Sequence, residues 1–329
     1  MNEQRFEFLR LPDDLRLKVL QTADPLEIMA YSFISKKAFS IVKALRLPIS
    51  HVRITMKKKP QIEVKLSLIS IKFELNMSEN DEKITHLNGF PVTVKVSYSY
   101  YEIDGLRGIL SAWTNQEKTV GEWIQHLCSY SQPKCCLNKI IHVREIELDI
   151  QTLRNVFPVL GNIDLIFCHA ESNEHDIMSA QNVLKAFLSD SQYVSLERAP
   201  LQDHFSLQRI GMANLKFLFI RSPHNLNVHD LSTLNAETIW IKTDQISLRD
   251  LNRFFKLWMK GSNQRLKELA IFWDTEILPG WNVLLKGLQA KTKRNSWKTK
   301  LKIKNCRGVC GKIRCEWVDA NLLVQFTVS

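Results

Sequence analysis

The stretch SLRDLNRFFKLWMKGSNQRLKELAI, residues Ser247 to Ile271, holds a complete helix and the start of a strand. Ser247 is placed to cap the helix, with Asp250 three positions on as its reciprocal partner. Leu251, Phe254, Phe255 and Trp258 follow at i, i+3, i+4 and i+7, the stripe with which a helix covers a core. Gly261 suits the left-handed conformation just past a helix end, and Ser262-Asn263 make the turn. Leu266, Leu269 and Ile271 then change the period, as a strand with one inward face does. The stretch reads as one helix–turn–strand unit.

The same spaced apolar triplet recurs upstream. It reads Val143-Ile146-Leu148, Ile163-Ile166-Cys168, a weaker Val194-Leu196, Leu215-Leu218-Ile220 and Ala236-Ile239-Ile241. The copies start about 20 to 30 residues apart, the period of a leucine-rich-repeat strand with its return segment. Helical runs lie between them, such as AQNVLKAFL from Ala180. The Asn that follows each triplet in leucine-rich repeats is missing from every copy, and a doubly wound α/β sheet would explain the same triplets. We expect an irregular, solenoid-like α/β stack over residues 119–275, opened by a helix in which Val120, Trp123, Ile124 and Leu127 share a face.

Both flanks change to a period of two. Upstream, HVRITMKKK and QIEVKLSLISIKFELNM alternate polar and apolar residues, with Ile62, Val64, Leu66 and Leu68 on one face and Ile71, Phe73 and Leu75 continuing it. These segments read as two or three antiparallel strands and PVTVKVSYSYYEI as another, so residues 48–118 read as an antiparallel connecting region. Downstream, a short helix around Trp281 to Leu288 precedes KTKLKIKN, KIRCEWV and LLVQFTV, with turn-like Gly308, Gly311 and Asp319. Residues 276–329 read as a β-rich cap on the last unit.

The N-terminus is helical. Leu11-Pro12 opens a helix in which Leu15, Val19 and Leu20 repeat, and Asp24-Pro25 breaks it and starts another. Ile28, Met29, Tyr31 and Phe33 lie on the second helix, and Ser35, Phe39 and Val42 on a third. So short a segment cannot bury all these side chains within itself, so a partner must cover some of them.

Residues Leu11-Pro12, Leu15, Val19-Leu20, Pro25, Ile28-Met29, Ser32 and Ile34-Ser35-Lys36 resemble an F-box, closest to those of nematode F-box proteins. Ala23 stands where a Leu is usual, and Phe39 where many F-boxes carry Trp. In the stretch that opened this section, Leu251-Asn252, Phe254-Phe255, Trp258, Gly261-Ser262-Asn263, Leu266, Leu269 and Ile271 resemble the type-2 F-box-associated domain of the same proteins, at about residues 180–275. The resemblance implies a substrate adaptor of a cullin–RING ubiquitin ligase. Residues 6–47 would bind a Skp-family adaptor, and through it a cullin, while the array captures a protein target. The adaptor-facing and supporting set would be Leu11, Pro12, Leu15, Val19, Leu20, Ile28, Met29 and Ile34. The expected fold class is α+β or α/β: a small helical F-box followed by a leucine-rich-repeat-like α/β array with antiparallel strands at its ends.

Composition narrows the alternatives. With 45% hydrophobic and 24% charged residues among 329, the chain has enough apolar material for a core. No apolar run approaches the roughly 20 residues that span a bilayer, and MNEQRFEF lacks the pattern of a signal peptide. We therefore expect a cytosolic or nuclear protein, with its seven cysteines as free thiols. The net charge of +11 comes from two runs: ten Lys or Arg without an acid between Lys291 and Arg314, and six between Lys43 and Lys59. Such runs are usually solvated faces. They leave open a stand-alone binding scaffold or, with less support, a basic nucleic-acid-binding protein. No nucleotide, hydrolase or zinc-protease motif is present, so no catalytic residue is expected. Cys306, Cys310 and Cys315, and His169, Glu171, His175 and Asp176, match no standard metal spacing, and neither metal nor cofactor is expected.

Overall fold

The computed structural model describes residues 8–57, 59–67, 69–76, 93–100, 107–113, 118–130, 136–142, 154–155, 157, 161–167, 173–200, 205–221, 228–243, 245–274, 281–288, 291–295, 298–318 and 321–329. Three helices come first: α1 (Asp13–Thr22), α2 (Pro25–Ser32) and α3 (Lys36–Ala44). Strands β1 (Ile49–Met56), β2 (Gln61–Leu66), β3 (Ile69–Asn76), β4 (Thr93–Tyr100) and β5 (Arg107–Trp113) follow, then α4 (Val120–Cys128), β6 (Cys136–His142) and β7 (Gly161–Ile166). The next segment alternates: α5 (Glu174–Phe187), β8 (Ser191–Glu197), α6 (Phe205–Met212), β9 (Phe217–Arg221), α7 (Val228–Thr233), β10 (Thr238–Lys242), α8 (Leu248–Met259) and β11 (Glu268–Asp274). The chain closes with α9 (Trp281–Leu285), β12 (Lys291–Asn295), β13 (Lys298–Lys304), β14 (Cys310–Val318) and β15 (Asn321–Val328).

The fifteen strands among the described residues join one mixed sheet, in the order β12-β13-β14-β15-β11-β10-β9-β8-β7-β6-β1-β2-β3-β4-β5. The middle, from β1 through β6 to β11, is parallel, and each edge is an antiparallel run. Strands β6 to β11 are neighbours in chain order. Right-handed crossovers between strands laid down in one direction put their helices on a single face. Burial agrees: β9 and β10 hide Leu218, Ile220, Ile239 and Ile241, while the residues between them are only partly covered or exposed.

The register aligns the covered side chains into two rows. One runs Ile54–Lys139–Ile163–Val194–Leu218–Ile239–Leu269–Phe326–Ile313–Leu301. The other runs Met56–Ile141–Leu165–Leu196–Ile220–Ile241–Ile271–Val324–Cys315. Each apolar member is buried, and each contributes about 2 kcal/mol by leaving water. Lys139 is the exception: a fully buried ammonium 5.3 Å from the Phe187 ring centroid. Burial pulls its pKa down to about 8, opposed by the neighbouring Cys128 and Asp190.

Helix α8 locks the array to its C-terminal strands. Its Ser247–Asp250 capping box forms, and Gly261 takes φ 101° just beyond it. Phe255 and Trp258 pack on Phe326 at 5.2 and 4.8 Å between ring centroids. Asn252 donates to the carbonyls of Leu284 and Lys286, which pins α9. Asn263 donates to the carbonyls of Ser232 and Leu234, which pins the end of α7.

Several sequence expectations need correction. In β7 the inward residues are Ile163 and Leu165, followed by the buried Phe167 just past the strand, so Ile166 of the expected triplet is only partly covered; Cys168 lies outside the described residues. Helix α5 begins at Glu174 rather than Ala180, capped by Asn173 with Asp176 as its box partner. Of the two or three antiparallel strands expected upstream there are three, β1 to β3, but the apolar face does not run on from Leu66 to Ile71: the chain reverses at Ser67 (φ 49°) and the buried parity shifts from Val64 and Leu66 to Ile71 and Phe73. Gly311 lies within β14, not in a turn: a Cβ there would strike the Phe326 ring and lie 3.0 Å from Trp258. The helix at Trp281 ends at Leu285. Strands β5, β6 and β12 and helices α6 and α7 are additional to the expected elements. The Val143-Ile146-Leu148 triplet and Leu68 lie outside the described residues.

Gly311→Ala is expected to destabilise by about 1–3 kcal/mol in urea unfolding, since neither Phe326 nor Trp258 has room to retreat. Lys139→Met is expected to stabilise at pH 7 by on the order of 1–3 kcal/mol. The wild type protonates Lys139 less readily when folded, so its penalty fades as pH rises from about 8 to 10.5, and the two proteins should converge there.

Candidate protein-interaction site

The three N-terminal helices are short but well closed. Arg16 donates to the Leu11 carbonyl at 2.7 Å and pairs with Asp13 at 3.1 Å. Asp24 and Glu27 make a capping box at the start of α2, where Pro25 takes the first helical position. Ser35 caps α3 by accepting from the Ala38 N–H at 3.1 Å. A Lys37–Asp13 bridge of 3.1 Å ties the start of α3 to the start of α1.

This closure sorts the eight candidate residues into two groups. Leu20, Ile28 and Met29 are buried, beside Tyr31, Ala38 and Val42, and hold the helices together. Leu15 (41% exposed), Val19 (40%) and Ile34 (61%) face solvent, with Pro12 exposed and Leu11 half-buried. Leu15 and Val19 are one turn apart on the same face of α1. Ile34 lies in the tight link into α3, three residues before Lys37. A lone exposed Leu needs no explanation, but an apolar trio within twenty residues of a small helical unit offers a surface for a partner.

Other residues of the unit, Phe33 and Phe39, are already covered. Phe33 stacks on the His126 ring of α4 at 3.9 Å, and Phe39 lies 4.7 Å from it. Phe33 also reaches Trp123 at 4.4 Å, and Trp123 packs on Phe73 of β3 at 6.1 Å. At the centre, His126 Nε2 lies 2.9 Å from Ser32 Oγ and 2.7 Å from the Tyr130 hydroxyl. Ser32 donates its proton to the Met29 carbonyl at 2.5 Å. Desolvation, with a smaller contribution from Lys118, holds the His126 pKa down at about 4. Burial raises that of Tyr130. The N-terminal helices therefore sit on the sheet through α4. Sequence reasoning missed this joint, although His126 and Tyr130 stand four residues apart at the end of an amphipathic helix.

The remaining sequence candidates resolve differently. Cys315 points into the core, and burial pushes its thiol up to about 12, whereas Cys306 is exposed in the preceding turn. Asp176 is a helix-capping residue. His169 and Glu171 lie outside the described residues. Among the described residues no group of His, Cys, Asp or Glu is arranged to hold a metal, and no helix is long and apolar enough to cross a membrane.

Two families match the chain: the F-box domain over residues 8–50 and the F-box associated family over residues 206–271. A relative from Caenorhabditis elegans, the F-box associated domain-containing protein sdz-33, is 24% identical over 273 residues, covering 81% of this chain and 78% of the relative. The first match spans α1 to α3 and the start of β1. The second begins within α6 and ends in β11, around the α8 unit.

A pH dependence follows from the neutral His126. Its folded pKa lies below the ordinary 6.5, so the stability it contributes is complete above pH 6.5 and is lost as pH falls toward 4. Allowing for its partial exposure, the loss should be on the order of 1–2 kcal/mol. Thermal unfolding at pH 7, 5.5 and 4 should show a shallower decline for His126→Gln than for the wild type.

Proposed function

From a chain that carries an F-box ahead of an F-box-associated region, we propose a substrate-recognition subunit of a cullin–RING ubiquitin ligase. The N-terminal helices bind a Skp-family adaptor, which links the protein to a cullin, and the sheet with its helices captures a protein target. The observation that carries this reading is the division of the F-box residues. Leu20, Ile28 and Met29 are spent on the interior, while Leu15, Val19 and Ile34 are left in solvent.

The physical role is proximity. Holding a target beside the conjugating enzyme raises the effective concentration of its lysines and asks no chemistry of this chain. The His126 joint supports that role, since a target-binding surface is useful only if its position relative to the adaptor is defined. In this reading residues 6–47 are the adaptor-binding part and residues 119–275, a solenoid-like stack, the core of the target-binding part. The antiparallel regions 48–118 and 276–329 extend its sheet at either edge. The protein acts in the cytosol or nucleus.

The test is pull-down and calorimetry with a purified Skp-family adaptor. Leu15→Asp/Val19→Asp/Ile34→Asp should abolish binding, weakening it at least about a hundredfold, with a thermal midpoint close to that of the wild type. Met29→Ala should instead destabilise by about 2–4 kcal/mol. A wild type that retains no adaptor would leave a stand-alone binding scaffold as the better reading.

A further inference from the structure

The face of the sheet away from the helices is neither uniformly polar nor randomly coloured. On β8 to β11 it carries aromatic side chains in mutual contact. Trp240 (38% exposed) lies 5.4 Å from Phe217 and 6.2 Å from Phe272, and Tyr193 (42% exposed) lies 6.4 Å from Phe217. On β13 and β14 the same face carries lysines. Lys302 and Lys312 are exposed and directly opposite each other, and Lys291 of the edge strand is the next position in that row. No carboxylate pairs with Lys302 or Lys312 among the described residues. Like charges placed opposite each other on a sheet are destabilising. Lysine on an edge strand also discourages unwanted strand pairing, but β14 lies two strands in from that edge.

The two groups lie along common rows. Lys302–Lys312–Thr327–Glu268–Thr238–Phe217 is one continuous line of neighbours across the sheet. We propose that this open face is the docking site for the target, and that it takes an extended acidic segment bearing an aromatic or aliphatic anchor. The anchor packs on Trp240, Phe217 and Tyr193, and the acids reach Lys302 and Lys312. The proposal deepens the recognition role given above and rests on it. Trp240 and Lys302 are four strands apart, about 19 Å at the usual strand spacing. An extended chain covers that distance in about six residues, which sets the spacing between anchor and acids.

The charges beside the aromatics favour a protein over a nucleic acid. Arg221 is paired with Glu197 at 2.8 Å, Arg314 is paired with Glu316, and Glu268 interrupts the row between lysines and rings. A phosphate backbone following that row would meet the carboxylate. The rings also meet edge to face, at 72° and 64°, so that they cover one another rather than stand as a series of parallel plates for bases.

The test selects displayed random peptides of roughly 16 residues, long enough to span both groups, on the full chain, and measures the best by fluorescence polarisation. The winners should carry Asp or Glu about six residues from a Trp, Phe or Leu. Tyr193→Ala/Trp240→Ala and Lys302→Glu/Lys312→Glu should each weaken them at least about tenfold, the lysine pair also removing most of the salt dependence. The lysine pair is on the surface, so its thermal midpoint should hold; the aromatic pair gives up cross-strand ring contacts, so its midpoint should fall only modestly, and adaptor binding, measured on the same samples, should be unchanged for both. Winners without acids, or winners indifferent to either pair, would overturn the proposal. So would tighter, Trp240-dependent binding of a roughly 15-nucleotide oligo(dT), which would mark a single-strand platform. Failure of the wild type to bind adaptor would count against the ligase reading alone, because the peptide arm needs no adaptor.

Discussion

The register of the sheet is the constraint on which the remaining structure depends. Two rows of apolar side chains cross from β1 to β14 without breaking step, so every strand between them must present the same parity to the helices. A slip by one residue in any strand would turn its inward residues outward. Local devices protect that parity. Ser67 reverses the chain between β2 and β3, Gly261 and Asn263 set the turn into β11, and Gly311 makes room for Phe326 where β15 joins the sheet. A charge within the rows, Lys139, shows how much the rows can carry: the surrounding burial is sufficient to pull its pKa well down yet not to exclude it.

A second constraint joins the N-terminal unit to this sheet. The three helices could fold back on themselves through their caps and the Asp13–Lys37 bridge, but Phe33 and Phe39 would then be left uncovered. They are covered by His126, Trp123 and Tyr130 of the α4 segment, whose own Trp123 rests on Phe73. Burial around a neutral imidazole makes this joint specific as well as apolar, since His126 Nε2 reaches Ser32 Oγ only where the N-terminal helices meet α4. The joint uses Phe33 and Phe39 and leaves Leu15, Val19 and Ile34 in solvent, so a partner on the trio takes none of the side chains that hold the joint.

Much of this was legible in the chain, where signals were local and redundant. The α8 unit was read correctly from its cap, stripe and glycine because each pointed to the same helix. Four triplets, at Val194, Leu215, Ala236 and Leu266, placed β8 to β11. The signal failed where it was short or shared. The helix start at Asn173 to Asp176 was passed over, so that the run read from Ala180, because a capping box and a metal-like cluster use the same residues. Strand β6 hides its inward Lys139 where an apolar residue would have announced it. Gly311 looked like a turn because close approach of an aromatic ring and a tight backbone bend ask for the same residue. The sorting of Leu15, Val19 and Ile34 from Leu20, Ile28 and Met29 depends on contacts between helices, which spacing along one helix does not contain. The open-face rows were invisible for the same reason: Phe217 and Lys302 come to share one row only through the strand order.

That strand order also makes the sheet a ruler. From β1, which follows directly on the N-terminal helices, to β10, which carries Trp240, the sheet advances five strands. At the usual spacing this is about 24 Å, and it is quantised: each strand–helix unit inserted or removed moves everything beyond it by about 5 Å and a small twist. The reach from the N-terminal helices to a bound segment is therefore set by counting units, not by tuning a flexible linker. Relatives with one unit more or fewer would present the same kind of surface at a different distance and angle, and so bring a different lysine of a target into range.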